Sequence, residues 1–200
     1  MTEWFEEFRT YLPEYLSPSS KTSLFEELKQ FPQNIDARLY TSKLETDGTF
    51  FQGDGLDGLW VSNLPDPTVK ETRVMVLSNT CDVSEANNRL VGPRLMYCPI
   101  ISLQKYGDMI RSHVGGSHDQ HLAEIRRQRI SSMFYLPRNS ALGEEGVALL
   151  DRINNCDLQK LDVAKLTKTR LFTLSDYGFY LFLFKLSIHL TRIREGVARS

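Results

Sequence analysis

The sequence predicts an α+β protein: a small β-barrel with two N-terminal helices and a C-terminal helical extension. Three observations support this. Apolar residues near the N-terminus recur at helical spacing, the middle of the chain alternates short apolar runs with glycine-rich turns, and the stretch "YGFYLFLFKLSIHL" is apolar on nearly every side. The predicted segments are an N-terminal helical part (1–36), a barrel with an inserted loop and helix (37–137) and a C-terminal extension (138–200).

The N-terminal segment predicts two short helices with aromatic faces. In the first, Trp4, Phe5 and Phe8 follow helical spacing, and prolines 13 and 18 mark its end. In the second, Ser23 is the expected N-cap, with Glu26 three residues later as in a capping box. Aromatic faces of this size are expected to be buried against other apolar residues. Either the helices cover their own domain or they bind a partner protein.

The middle of the chain predicts the barrel strands. We expect strands in "ARLYTSKL", "RVMVLS" and Arg94–Ile101, a pattern of turns and bends in "GTFFQGDGLDGLWVSNL", and turns at "DPTV" and at Asn87–Asn88. Several short strands joined by close turns are typical of a small barrel.

The C-terminal half mixes helices with short strands. "GDMIRSHVGGSHDQ" predicts a loop, because Gly115 and Gly116 make it flexible, and "QHLAEIRRQRISSMF" predicts a helix. "MFYLP", "GVALLDRI" and "RLFTLS" predict short strands. The last helix, from about Asp176 to Arg194, is expected to be buried, with Thr173 and Asp176 at capping-box spacing.

Composition limits the classes of function. The 24 basic and 25 acidic residues leave a net charge of −1, so binding to nucleic acid would need a local basic patch. Three widely spaced cysteines fit reduced thiols. The N-terminus has no signal-peptide pattern, and the longest apolar run is interrupted by Lys185 and His189. We expect a cytoplasmic protein that does not enter a membrane and that holds neither a cofactor nor a metal.

Several short motifs resemble one known family. "GD", "LWV", "DPTV", "VLSN" and "PIIS" occur in this order between Gly53 and Ser102. In this the chain is similar to the MazF/PemK toxin endoribonucleases, and the resemblance implies an SH3-like barrel. The "LSNTCD" turn, with the later "YLP" and "LSDYG" segments, also resembles a group of bacterial proteins with a related barrel.

The resemblance assigns positions with two departures. Asp54 and Ser78 match family positions, and Pro99 matches the proline before the family's catalytic hydroxyl. The catalytic arginine falls on Thr72, with Arg73 one residue later. The catalytic threonine falls on Ile101, with Ser102 one residue later. A slip of one residue turns a strand side chain to the other face, unless a bulge compensates for it.

RNA cleavage of this type needs no metal, but it needs a base, an acid and cations around the phosphorane. Arg73 and Ser102 could supply charge and a hydrogen bond, with Asp54 or Asp82 as the base and Ser78 close by. The alternative is that Asp82 only forms an Asx-turn and Asp54 only opens a strand.

One cysteine and one pair of histidines could each form a reactive site or have only a structural role. Cys81, beside Asp82, could be a nucleophile if a histidine approached it, or it could be a small apolar residue. His118 and His121 have the spacing of a zinc-binding pair, or they are surface histidines beside His113.

The basic cluster Arg126, Arg127 and Arg129 could bind phosphates of a nucleic acid. The alternative is a solvated helix face on which Glu124 pairs with the arginines.

Three functions therefore stay open. The first is a MazF/PemK-like module of a toxin–antitoxin or defence system that binds RNA or a partner protein, with altered or lost catalysis. The second is an active metal-independent endoribonuclease, and the third is a cysteine- or metal-dependent hydrolase. Homodimer formation is also an expectation.

Overall fold

The computed structural model describes residues 18–84, 90, 92–114 and 118–191. Within these ranges the chain forms one sheet with helices on it. The strands are β1 (Tyr40–Thr41), β2 (Gly55–Asn63), β3 (Asp66–Val76), β4 (Arg94–Ser102), β5 (Met133–Leu136), β6 (Gly146–Leu149), β7 (Asn154–Asp157) and β8 (Arg170–Leu174). The helices are α1 (Pro18–Lys29), α2 (Leu103–Val114), α3 (His118–Arg126), α4 (Val163–Thr167) and α5 (Asp176–Thr191), with 3-10 helices at Ala37–Leu39 and Leu158–Lys160.

The sheet is antiparallel throughout, in the order β1-β8-β2-β3-β4-β6-β5, with β7 also paired to β4. Its path is open, with β1 and β5 at the two ends. One side of β4 pairs with β3, and the other side is shared between β7 and β6. The predicted mixture of helices and strands is confirmed, and strands from both sides of residue 137 belong to the same sheet.

Three apolar clusters stabilise this arrangement. The largest lies between the sheet and helices α1 and α5, where Leu24, Leu28, Phe134 and Phe182 are buried together. The predicted burial of the last helix is thus confirmed for its first half, which contributes Tyr177 to the same cluster. Removing this much apolar surface from water is the main contribution to folding.

One of the other two clusters packs on the middle strands of the sheet, and the other packs on its β6–β5 end. One packs β2, β3 and β4 against the segment after β7, and includes Leu59, Val76, Leu95 and Leu158. The other packs α2 and α3 on β5 and β6, and centres on Ile125.

The loop predicted over "GDMIRSHVGGSHDQ" is wrong on both sides of residues 115–117, because α2 spans Leu103–Val114 and α3 begins at His118. The loop was predicted from Gly115 and Gly116, which lie outside the described residues. Here Gly107 lies where α2 meets α3, and a Cβ on it would come within 3.2 Å of His118 Nε2 and of Leu122 Cδ1. The glycine therefore permits close helix packing.

Three local predictions in the first half are also wrong. Helix α1 begins at Pro18 rather than after Ser23, since proline is favourable in a first helical turn. The "DPTV" turn is instead the start of β3. "ARLYTSKL" forms a 3-10 helix followed by only two strand residues. The first predicted helix and the Asn87–Asn88 turn lie outside the described residues.

The edge strand β5 is covered by a single side chain. Gln128, with a left-handed φ of 58°, accepts a hydrogen bond from Tyr135 N at 3.0 Å and donates one to Tyr135 O at 2.8 Å. The Nζ of Lys185 then donates to the Gln128 carbonyl and to Oε1. A side-chain amide thus takes the place of a neighbouring strand, and α5 fixes it there.

Burial lowers the pKa of Lys185, so the stability of the protein should depend on pH. The side chain is 5% exposed, and desolvation lowers its pKa to about 7. An unfolded lysine has a pKa of about 10.4. Between these two values the unfolded chain binds more protons than the folded chain, so stability rises with pH.

We therefore expect the free energy of unfolding to rise by about 1.4 kcal/mol per unit between pH 7.5 and 9.5, relative to Lys185→Met. The measurement is urea denaturation at several pH values. Equal slopes for the two proteins would show that Lys185 keeps its proton in the folded state.

Candidate functional site

A cleft of about 540 Å³ opens where β3 and β4 part. Its walls come from the β2–β3 hairpin, the end of β4, the first turns of α2, and the segments that flank β6. Arg73 on β3 and Ser102 on β4 both line it. The two strands are paired only from Val76–Tyr97 to Val74–Pro99. The cleft therefore begins directly beyond the last pair of the ladder.

Arg73 and Ser102 meet at a third residue, Glu144. Ser102 Oγ donates to Glu144 Oε2 at 2.6 Å, and Arg73 Nη1 lies 3.4 Å from Glu144 Oε1. Arg73 Nη1 also donates to the Leu142 carbonyl at 3.1 Å. The Arg73 and Glu144 side chains are 38% and 42% exposed, so this triad is open to solvent.

A β-bulge lies opposite Arg73. Leu56 pairs with Val74 and Leu59 with Thr72, so Asp57 and Gly58 together face Arg73 alone. Gly58 has a φ of 88°, a conformation that favours glycine. Bulges redirect side chains, and this one lies at the cleft, which Asp57 lines as well.

Ser102 also caps α2, because its Oγ accepts from Lys105 N at 3.3 Å. Beyond the cap, Lys105 and Tyr106 line the cleft. Tyr106 hydroxyl and His121 Nε2 are 3.0 Å apart, and burial raises the pKa of Tyr106. The first turns of α2 thus give the cleft a cation and an aromatic ring.

The charges around the cleft have both signs. Four cations line it: Lys70, Arg73, Lys105 and Arg152. Three carboxylates do so as well: Asp57, Glu144 and Asp151. The net charge of its walls is thus slightly positive, and one of the carboxylates is already held by Arg73.

Asp54 and Ser78 lie inside the fold and do not line the cleft. Asp54 is fully buried. Its Oδ2 accepts a hydrogen bond from Phe51 N and lies 3.1 Å from Arg170 Nε. Burial raises its pKa to about 6, against the opposing effects of Phe51 N and Arg170. Ser78 Oγ accepts from Met96 N at 2.7 Å. Both side chains thus bind groups inside the fold, and neither reaches the cleft.

Cys81 and Asp82 lie in an exposed turn after β3 and do not line the cleft. The backbone N–H of Cys81 donates to Asn79 Oδ1 at 2.9 Å, so Asn79 forms an Asx-turn at the start of this segment. The structure therefore separates Cys81 and Asp82 from Arg73 and Ser102.

The histidines join α2 to α3. His118 Nε2 lies 2.8 Å from the Gly107 carbonyl, and His121 contacts Tyr106. The side chain of His113 is outside what the structure describes. In the described ranges, no group of three or more His, Cys, Asp and Glu side chains is arranged to hold a metal ion.

The three arginines of the basic cluster all contact carboxylates. Arg126 makes a bidentate pair with Glu145 at 2.9 and 2.8 Å. Arg127 and Arg129 lie 3.7 and 3.2 Å from Glu124. The last two pairs are exposed, which makes them weak and leaves these arginines accessible to a ligand.

No protein-family model matches the chain, and no curated protein is similar to it. Among the described helices, none combines the length and the apolar character needed to span a bilayer. The site must therefore be interpreted from its own geometry.

Glu144, Lys105, Tyr106 and Asp57 were not among the candidates from the sequence. Glu144 is 42 residues from Ser102, and only the pairing of β6 with β4 brings it close. One signal was available for Lys105 and Tyr106, because Ser102 precedes a helical apolar pattern as an N-cap does.

The Asp54–Arg170 contact generates a stability prediction. Arg170→Ala leaves a buried carboxylate without its cation and removes the donors to the Leu44 and Asp47 carbonyls. We expect a loss of about 3–5 kcal/mol in the free energy of unfolding by urea. Arg38→Ala removes an exposed arginine paired with Asp36 and should leave stability nearly unchanged. Equal small losses for both variants would contradict a structural role for the buried pair.

Proposed function

We propose that the protein is a MazF/PemK-like module of a bacterial toxin–antitoxin or defence system that binds RNA in the cleft between β3 and β4. The observation that carries this proposal is the convergence of Arg73 and Ser102, from neighbouring strands, on one carboxylate in an open cleft. These are the two residues adjacent to the positions that the family resemblance assigns to catalysis.

The strand order supports an SH3-like barrel as part of this proposal. Five strands follow each other in the order β8-β2-β3-β4-β7, and β2, β3, β4 and β7 contribute to one apolar cluster. Two contacts cross from the far end of β2 to the other side of that cluster. Tyr97 hydroxyl donates to the Trp60 carbonyl at 2.6 Å, and Ser62 N donates to Asn154 Oδ1 at 2.9 Å.

The composition of the cleft favours a phosphodiester ligand. Arginine and lysine bind phosphate oxygens, and four of them line the cleft. Tyr106 offers a ring on which a base can stack, as in proteins that bind single strands. A duplex would need a larger continuous basic surface, so we infer that the ligand is single-stranded.

The test is fluorescence anisotropy of a short labelled single-stranded RNA in EDTA. Arg73→Ala should weaken binding about 5- to 10-fold and reduce the salt dependence of binding, since one phosphate contact is lost. Lys160→Ala is the matched control, because Lys160 is exposed and outside the cleft. Weakening by Arg127→Ala but not by Arg73→Ala would move the site to the basic cluster of α3. The absence of binding by the wild-type protein would overturn the proposal.

One observation favours the active endoribonuclease as a second candidate. Glu144 lies within hydrogen-bond distance of Ser102 and beside Arg73, so a carboxylate, a hydroxyl and a cation occur together. In this case the same RNA is cleaved in EDTA, and cleavage disappears in Arg73→Ala.

A further inference from the structure

The carboxylate of Glu144 occupies the space between Arg73 and Ser102. One of its oxygens faces the guanidinium and the other accepts from the hydroxyl. A phosphate group presents the same arrangement of two acceptor oxygens to an arginine and a hydroxyl. Glu144 thus holds the groups that the proposed ligand needs.

The segment that carries Glu144 is fixed on its other side. The neighbouring Glu145 accepts two hydrogen bonds from Arg126 and one from Tyr135 hydroxyl at 2.6 Å. Its carbonyl accepts from Leu103 N at 3.0 Å. The pairing with Arg126 lowers the pKa of Glu145. Adjacent glutamates therefore differ in role: Glu145 anchors the backbone, and Glu144 extends into the cleft.

The preceding turn is also held without Glu144. Asn139 Oδ1 accepts from Leu142 N at 2.6 Å, and the Asn139 carbonyl accepts from Gly143 N. The bond from Arg73 to the Leu142 carbonyl does not involve the Glu144 side chain. Only one exposed side chain has to move to free Ser102 and the outer side of Arg73.

We propose that Arg73 and Ser102 form a phosphate-group site, and that Glu144 occupies it in the ligand-free protein and competes with the ligand. The inference rests on the proposed function, because it concerns the same cleft. It makes Glu144 an internal competitor that sets the affinity of the site.

The experiment uses inorganic phosphate as the probe, titrated into the full chain against chloride at constant ionic strength. The readout is the phosphate-dependent shift in melting temperature. Glu144→Gln should bind phosphate at least about threefold more tightly than the wild type. In the wild type, phosphate must first break the exposed ion pair between Arg73 and Glu144, whereas the variant has no such pair. The gain should disappear in the double variant Arg73→Ala with Glu144→Gln. Glu26→Gln, which removes an exposed glutamate outside the cleft, should match the wild type.

Equal or weaker phosphate binding by Glu144→Gln would overturn the inference, since Glu144 would then be a brace of the turn or a contact to the ligand. Glu144→Ala provides a second variant if the glutamine rebuilds the bond to Ser102. RNA binding is measured in parallel. A phosphate gain without RNA binding by any variant rejects only the proposed function, whereas Arg73-dependent RNA binding without the phosphate gain rejects only the competitor role.

Discussion

The short ladder between β3 and β4 is the constraint on which the rest of the structure depends. It pairs Val74, Met75 and Val76 with Pro99, Cys98 and Tyr97, and the side chains of all three β3 residues are fully buried. The ladder ends at the Val74–Pro99 pair. On the other side of β3, the Asp57–Gly58 bulge lies opposite Arg73. The buried ladder is thus apolar, and directly beyond it β3 and β4 diverge and present polar side chains to the cleft.

This geometry separates two kinds of polar group. Two groups with large pKa shifts, Asp54 and Lys185, are enclosed by the fold and bind backbone or a single partner. The groups of the cleft are accessible and have both signs of charge. A raised carboxyl pKa often marks a catalytic base, but a base must also reach the proton that it removes. Asp54 lacks that access, whereas Glu144 has it.

The strands were predictable because their apolar runs are continuous, as in "RVMVLS" and "RLMYCPIIS". The proximity of Arg73 and Ser102 was also predictable, since both follow from where two neighbouring strands end. Helix α2 was not predictable, because the role of Gly107 depends on α3 lying against it. The N-cap of α5 was misplaced for a similar reason: Ser175 accepts from Gly178 N, while Thr173 is buried in β8. Glu144 reaches the site through strand pairing that local sequence does not encode.

The central claim is that the cleft beyond this ladder is the binding surface of the protein. The most direct measurement is an NMR titration of the full, isotope-labelled chain with short single-stranded RNA, in which backbone and arginine side-chain signals are followed together. We expect saturable shifts of the signals of Arg73, Ser102 and Lys105, with the signals of residues 124–129 nearly unchanged. Shifts confined to residues 124–129, or to the exposed turn at Cys81, would contradict it.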